Sequence, residues 1–245
     1  MPTLFLSPST QEGNPTAVGN SEEYYMNLIA DAMEPYLISN GIEFRRNDRN
    51  DTLGQAIRDS NAGNYDLHLA LHSNAAPPAN AGNVKGADFY YYEPSTRSRE
   101  AATVLAENYK RIYPYPELSR PLATTTLVEL RRTNAPAVLA ELAYHDNPTE
   151  AAWIRDNING IARNLVEGLT EYFSIPFIEA QAPTTGIVRL NSGNLNLRAR
   201  PNTEADIITT IPNGTELTVV GRWDNWYVVR YNDRTGYVRA DYIAV

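Results

Sequence analysis

Four short apolar runs, separated by stretches of helical periodicity, constrain this chain more than any other feature. Thr3–Leu6 (TLFL), Asp66–His72 (DLHLALH), Ala87–Tyr92 (ADFYYY) and Ala137–Tyr144 (AVLAELAY) are short runs that read as strands. From Glu23, the residues Met26, Ile29, Ala30, Met33 and Leu37 recur at helical spacing and stop at Asn40-Gly41, a C-terminal cap. Pro35 lies inside that pattern; it lacks a donor and crowds the preceding turn, so a kink or break is expected there. Glu43–Arg46 (EFRR) reads as a polar, helix-like stretch. Ala101, Val104, Leu105, Tyr109 and Ile112 mark a further helix. Asn147-Pro148-Thr149-Glu150 has the cap, the first-position proline and the third-position acid of a helix start. The helix it opens carries Ile154, Ile158, Ile161, Leu165 and Leu169 on one face. Strand–helix alternation of this kind predicts an α/β fold, a mainly parallel twisted sheet flanked by helices.

After Phe173 the pattern changes. Ile175–Thr185 (IPFIEAQAPTT) holds two prolines and no periodicity, which marks a linker. Beyond it, five short runs (Asn194–Arg198, Ile207–Thr210, Glu216–Val220, Trp226–Tyr231 and Gly236–Arg239) are punctuated by Pro201-Asn202, Pro212-Asn213-Gly214, Asp224-Asn225 and Asn232-Asp233. Close spacing with turn signals predicts a small all-β barrel. The expected division is residues 1–174, a linker at 175–185, and 186–245.

Composition removes several kinds of chemistry. There is no cysteine, so disulfide scaffolds, thiolate metal sites and thiol catalysis are excluded. A metal site must use carboxylates, neutral oxygens or the three histidines, His68, His72 and His145. The net charge of −8 argues against nucleic acid or an anionic membrane as partner. It is unevenly spread: residues 183–245 carry +1, so residues 1–182 carry −9. No apolar run approaches the roughly 18–20 residues of a membrane span. The opening MPTLFLSPST has no basic segment before a long apolar core, so no signal peptide is visible. The expectation is a mature form, another export route, or a protein that stays inside.

Two places stand out chemically. In DLHLALHSNAA, residues 66–76, a strand sets His68 and His72 on one face but roughly 13 Å apart. They could not then share a metal, whereas a helix would bring them together. The strand is the better reading, with His72 at its carboxyl end, where open α/β sheets place their sites, and His68 as a hydrogen-bonded interior residue. Glu141 interrupts an otherwise apolar strand, and an unpartnered buried carboxylate is costly. It is either paired with Arg131 or Arg132, or a general base whose pKa is raised by burial.

These segments together resemble the zinc-dependent N-acetylmuramoyl-L-alanine amidases of the Amidase_3 family. Ser7-Pro8-Ser9-Thr10-Gln11-Glu12-Gly13-Asn14-Pro15-Thr16-Ala17-Val18-Gly19 occupies that family's D-P-G-H-G-G-x-D-P-G-A-V-G motif without a gap. Glu23 stands four residues before Asn27, as the family's glutamate ligand does. His72-Ser73-Asn74-Ala75 fits H-[AS]-N-A. Pro136-Ala137-Val138-Leu139-Ala140-Glu141, with Tyr144 and Asn147, fits P-x-V-L-x-E-x-x-[FY]-x-x-N, and Arg131 and Thr133 match an upstream L-R-x-T. The resemblance spans residues 3–173.

It implies Zn²⁺ on Glu23, His72 and a third ligand, with Glu141 as general base, Arg131 as a further catalytic residue and Asn74 on the substrate. The family's first zinc-binding histidine is replaced by Thr10, and the adjoining glycines by Gln11 and Glu12. Gln11, through its amide carbonyl, is the first candidate for the missing ligand and Glu12 the second. Residues 186–245 resemble a bacterial SH3-like (SH3b) cell-wall-binding module through Leu195-Asn196-Leu197-Arg198-Ala199-Arg200-Pro201, Pro212-Asn213-Gly214, Trp223, Trp226-Tyr227 and Gly236-Tyr237-Val238. Most of its aromatics are expected in the core, with Trp223 the one set to meet glycan or stem peptide. The implied activity is hydrolysis of the bond between N-acetylmuramic acid and L-alanine by a monomer at the cell wall or outside the cell, with peptidoglycan as partner and neither nucleic acid nor membrane. Two alternatives stand beside it: a non-catalytic peptidoglycan binder that has lost the metal, and a peptidase of wall peptides.

Overall fold

The structure, a computed structural model, describes all residues from Met1 to Val245. Two compact units are present, Thr3–Met33 with Phe44–Phe173, and Met1–Pro2 with Glu34–Glu43 and Ser174–Val245.

The first unit alternates strand and helix. In chain order its elements are β1 (Thr3–Pro8), α1 (Glu22–Ser39, which runs on into the second unit), β2 (Glu43–Arg46), α2 (Leu53–Ala62), β3 (Leu67–Asn74), β4 (Ala87–Tyr92), α3 (Thr96–Tyr109), β5 (Ser119–Thr124), α4 (Val128–Arg132), β6 (Ala137–Tyr144), α5 (Pro148–Asp156) and α6 (Ile158–Tyr172). The sheet order is β2-β1-β3-β6-β4-β5. Pairs β1–β3, β3–β6 and β4–β5 are parallel, and β4–β6 is antiparallel. Its middle strands bury both faces, which is why they read as continuous apolar runs. Leu4, Phe5 and Leu6 on β1, Leu67, Leu69 and Leu71 on β3, and Val138, Ala140 and Leu142 on β6 are all buried. Helices α1, α3 and α6 cover apolar stripes with Met26, Ile29 and Met33, with Ala101 and Leu105, and with Ile161, Leu165 and Leu169.

Several local expectations are corrected. Helix α1 continues through Pro35 instead of breaking. Met33 and Leu37 are wholly buried on either side, and their packing outweighs the one backbone hydrogen bond that proline forfeits. Glu43–Arg46 is a strand, not a helical stretch. It is an edge strand of four residues with charged side chains, a composition that protects a sheet edge. The guanidinium of Arg46 donates to Asp31 Oδ1 at 2.6 Å. The expected helix after Asn147 is two helices, divided at Asn157, whose φ of −124° and ψ of 21° leave the helical region. Its start is as expected: the Asn147 side chain accepts from the amides of Thr149 and Glu150.

The second unit is an antiparallel sheet. Its strands are β7 (Thr184–Val188), β8 (Asn194–Arg198), β9 (Ile207–Pro212), β10 (Glu216–Trp223), β11 (Trp226–Tyr231), β12 (Arg234–Arg239) and β13 (Ile243–Ala244), ordered β13-β7-β10-β11-β12-β8-β9. Val188, Leu195, Leu197, Ile211, Val219, Val229 and Val238 form one core cluster. A second joins Ile178 to Val220, Trp226, Val228 and Tyr237. The proline-bearing stretch before β7 therefore has buried anchors, Ile175 and Ile178.

Candidate active site

The parallel register brings three strand ends together. Pro8 on β1 lies opposite Leu71 on β3, and His72 on β3 lies opposite Glu141 on β6. Carboxyl ends of neighbouring parallel strands form the crevice in which α/β sheets place ligands. Into it project side chains from the loop after β1, the first turn of α1, and α4.

His72 is the centre of the cluster. Its Nδ1 lies 2.8 Å from Glu22 Oε1 and 3.4 Å from Gln11 Nε2. Its Nε2 lies 3.6 Å from Glu129 Oε2. Asn14 ties the loop to the helix, because its Nδ2 donates at 2.8 Å to both Gln11 Oε1 and Glu22 Oε2. Glu22 is the first residue of α1 and is buried, where the helix N-terminus favours negative charge. Burial works against its ionisation, but the bonds from His72, Asn14 and Ser9 outweigh it and hold the carboxyl below its usual range. For His72 burial likewise opposes the charge, and Glu129 and Glu22 outweigh it, raising the imidazole well above its usual value.

Glu141 behaves in the opposite way. Its Oε2 is buried with no hydrogen-bond partner. Burial, with Glu22 and Asp88 nearby, pushes the carboxyl up to about 7 although His72 pulls it down. The pairing with Arg131 or Arg132 that the sequence left open is not formed, and both arginines are exposed. A raised, unpartnered carboxylate beside the site histidine has the character of a general base.

Sequence expectation and placement differ at several residues. Glu22, not Glu23, meets His72; Glu23 is turned aside, its Oε1 accepting from Asn27 Nδ2 at 2.7 Å. Adjacent helical residues point about 100° apart, so only one of the pair can face the sheet. Gln11 does reach His72, whereas Glu12 is exposed and makes no bond to the cluster. Asn74 ends β3 with its Oδ1 on the amide of Ala75 at 2.8 Å. Arg131 makes no side-chain contact with the cluster; two residues before it, Glu129 points inward. His68 is buried at hydrogen-bond distance from Ser60 and Glu129, as a satisfied interior residue. His145, to which the sequence assigned no role, sits behind Ser73, its Nδ1 2.7 Å from that residue's carbonyl oxygen and 4.0 Å from Glu22 Oε2. Trp223 belongs to the other unit, where it is 41% exposed.

The sequence missed Glu22 and Glu129. For Glu22 the signal was an acid pair at a helix start, which names two candidates without choosing. For Glu129 it was a lone acid between Val128 and Leu130.

The donor set is anionic. Glu22, Glu129 and Glu141 surround one imidazole, an excess of negative charge that a divalent cation would balance. No three His, Asp or Glu side chains are gathered as a metal-ligand group, which leaves a neutral oxygen as the candidate third donor. The Gln11 amide fits that need. Tetrahedral zinc with bonds of about 2.0–2.1 Å separates neighbouring donors by roughly 3.3–3.4 Å, and the Gln11 amide stands 3.4 Å from His72 Nδ1. Rotating that amide by half a turn exchanges its nitrogen and oxygen. Turned that way, the Gln11 amide would give up the bond from Asn14 Nδ2, and at that cost the residues present would fit zinc as a Glu–His–Gln set.

The sequence profile of the N-acetylmuramoyl-L-alanine amidase family (Amidase_3) matches residues 5–171. The chain belongs to that family. The profile of the bacterial SH3 domain matches residues 193–244. An endolysin of Bacillus phage SPP1 is 33% identical over 124 residues, which cover 48% of this chain and 44% of the endolysin. The matched stretch is thus less than half the length of the curated relatives. Among solved structures, an N-acetylmuramoyl-L-alanine amidase from Clostridium difficile 630 superimposes with a TM-score of 0.62 at 21% identity, covering 71% of this chain and 97% of that one. The catalytic domain of CwlV, an amidase from Bacillus (Paenibacillus) polymyxa var. colistinus, does so with a TM-score of 0.58 at 22% identity, covering 72% and 100%. At these identities the likeness shows a shared fold. Family membership rests on the profile.

Proposed function

We propose that this chain is a zinc-dependent N-acetylmuramoyl-L-alanine amidase that acts as a monomer on peptidoglycan, at the cell wall or outside the cell. The bond cut joins the lactyl group of muramic acid to L-alanine. The observation that carries this reading is Glu141, a carboxylate with an unpartnered buried oxygen opposite His72, which is itself joined to Glu22. Relatives and solved neighbours described as endolysin and amidase support the reaction class.

Glu22, His72 and Gln11 would hold the zinc. When bound, zinc supplies Lewis acidity towards the scissile carbonyl and the attacking water. The remaining work falls to the chain itself. Glu141 accepts a proton from the attacking water, for which its raised pKa makes it a stronger base than an ordinary carboxylate, and returns that proton to the more basic departing alanine nitrogen. Water gives its oxygen to the lactyl carbonyl carbon, the C–N bond breaks, and a carboxylate and a free amine result. Asn14 holds Gln11 and Glu22 together in the metal-free site. Asn74, the last residue of β3, would meet the substrate. Trp223, exposed at the end of β10, offers the second unit an aromatic face for glycan or stem peptide.

Thr10 in place of a histidine favours a second reading, a peptidoglycan binder without catalysis. Digestion of purified peptidoglycan, followed by mass spectrometry of the soluble products, separates the two. Amidase action releases stem peptides with a free N-terminal alanine. New amines elsewhere in the peptide indicate a peptidase, and no new amine indicates a binder.

A further inference from the structure

The register of the first unit's sheet sets four ionisable side chains in one row. His72 on β3 lies opposite Glu141 on β6, Glu141 opposite Asp88 on β4, and Asp88 opposite Arg120 on β5. Directly paired residues stand on the same face of a sheet, so the row runs from the site histidine past the general base to the arginine. The last two are joined: Asp88 is buried and accepts from Arg120 Nε at 2.9 Å. That bond uses one of the five donors of the guanidinium. Its terminal nitrogens make no hydrogen bond within the chain, and the side chain is 61% exposed. A buried carboxylate thus holds an arginine whose open edge faces solvent.

Two phenols adjoin the pair. Tyr90 stands two residues after Asp88 on β4, and Tyr144 ends β6. Burial raises both, Tyr90 to about 12, and Asp88 and Glu141 add to it while Arg120 opposes it. They stay protonated near neutral pH and remain hydrogen-bond donors. The planar fork of arginine matches a carboxylate with two parallel bonds. Neighbouring strands are about 4.8 Å apart, so the backbones of Glu141 and Arg120 are separated by roughly 10 Å, about three residues of extended peptide. The bond to Asp88, on the strand between them, draws the guanidinium back towards Glu141.

We propose that Arg120, held by Asp88, is a specificity-determining residue that binds a free carboxylate on the residue following the released alanine. This rests on the amidase reading above, which sets the scissile nitrogen beside Glu141. A primary amide in place of that carboxylate removes the charge and turns a second donor towards the arginine.

Two soluble N-acetylmuramoyl dipeptides test this, alike except that one carboxyl of the second residue is free in one and a primary amide in the other. Dissociation constants for the full-length chain are read by NMR titration without zinc, so that neither is cleaved. Release of the alanyl peptide is followed separately with zinc added. The wild type should bind the carboxylate form about tenfold more tightly. Arg120→Lys should keep part of that ratio, because it keeps the charge without the fork, and Arg120→Gln should bring it to about one. Because Arg120→Gln leaves Asp88 buried without its partner, Arg120→Gln/Asp88→Asn is made beside it and removes both charges together. A merely structural role would weaken both dipeptides alike and leave the ratio unchanged. No binding or no preference in the wild type, or a preference that survives in the folded double variant, overturns the proposal. A preference that vanishes with Arg120, in a protein that releases no alanyl peptide from either dipeptide, upholds the carboxylate site and refutes the amidase reading alone.

Discussion

His72 Nδ1 lies 2.8 Å from Oε1 of Glu22, while the neighbouring Glu23 turns to Asn27. The first turn of α1 thus decides which of two adjacent acids serves the site. Glu22→Gln is expected to weaken zinc binding by more than tenfold and Glu23→Gln to leave it unchanged, as read by calorimetric titration. Gln11→Ala should lower occupancy several-fold and Glu12→Ala should not. The reverse order in the first pair would return the metal to Glu23, which motif alignment names, and in the second would give it to Glu12.

Glu141→Gln removes the proposed base and keeps the volume. Turnover on purified wall should drop by about 10²–10⁴-fold, with zinc affinity close to wild type. Full turnover in this variant would take Glu141 out of the mechanism.

The same substitution has a stability signature. The carboxyl of Glu141 is raised from 4.5 to about 7 in the folded protein, so the fold favours its protonated form. That advantage is complete below the unfolded value and is lost as pH rises through about 7. Metal-free Glu141→Gln should therefore be more stable than wild type above pH 7, by roughly 1–3 kcal/mol. The difference should close as pH falls towards 4.5. Denaturant titrations at pH 5 and pH 8 measure it, and a constant difference would show that ionisation of Glu141 is not what strains the site.

Much of this was legible in the sequence, for identifiable reasons. Strands β3 and β6 were readable because their apolar runs are uninterrupted, and the start of α5 because Asn147 and Pro148 are local signals. Strand β2 was not, because a charged edge strand carries no apolar alternation and is defined by its neighbour β1. Helix α1 defeated the proline rule because burial of Met33 and Leu37 is a tertiary fact. At the site, His72 and Glu141 were legible as a strand-end histidine and an acid among apolar residues. Glu22 depended on a helical phase that an acid-rich start does not reveal. Glu129 depended on α4, five residues long, whose inward face is set by Ser7 and His68 more than sixty residues away.

Trp223 and Trp226 face each other across the turn at Asp224 (φ 49°), yet only Trp223 is exposed. Trp223→Ala should change stability by about 0.5 kcal/mol or less while reducing retention on purified cell walls several-fold. Trp226→Ala, by contrast, should unfold the unit, since large-to-small changes of a core tryptophan cost about 3–5 kcal/mol. Retention unaffected by Trp223→Ala in a pull-down would place the wall contact elsewhere on the sheet.

The most direct test is a zinc titration of the metal-free protein on purified peptidoglycan, counting bound zinc and free N-terminal alanine together. One zinc per chain is expected, with alanine termini appearing in proportion to occupancy and disappearing when a chelator removes the metal. Saturating zinc without new alanine termini, or release indifferent to the chelator, would contradict a zinc amidase built on Glu22, His72 and Gln11.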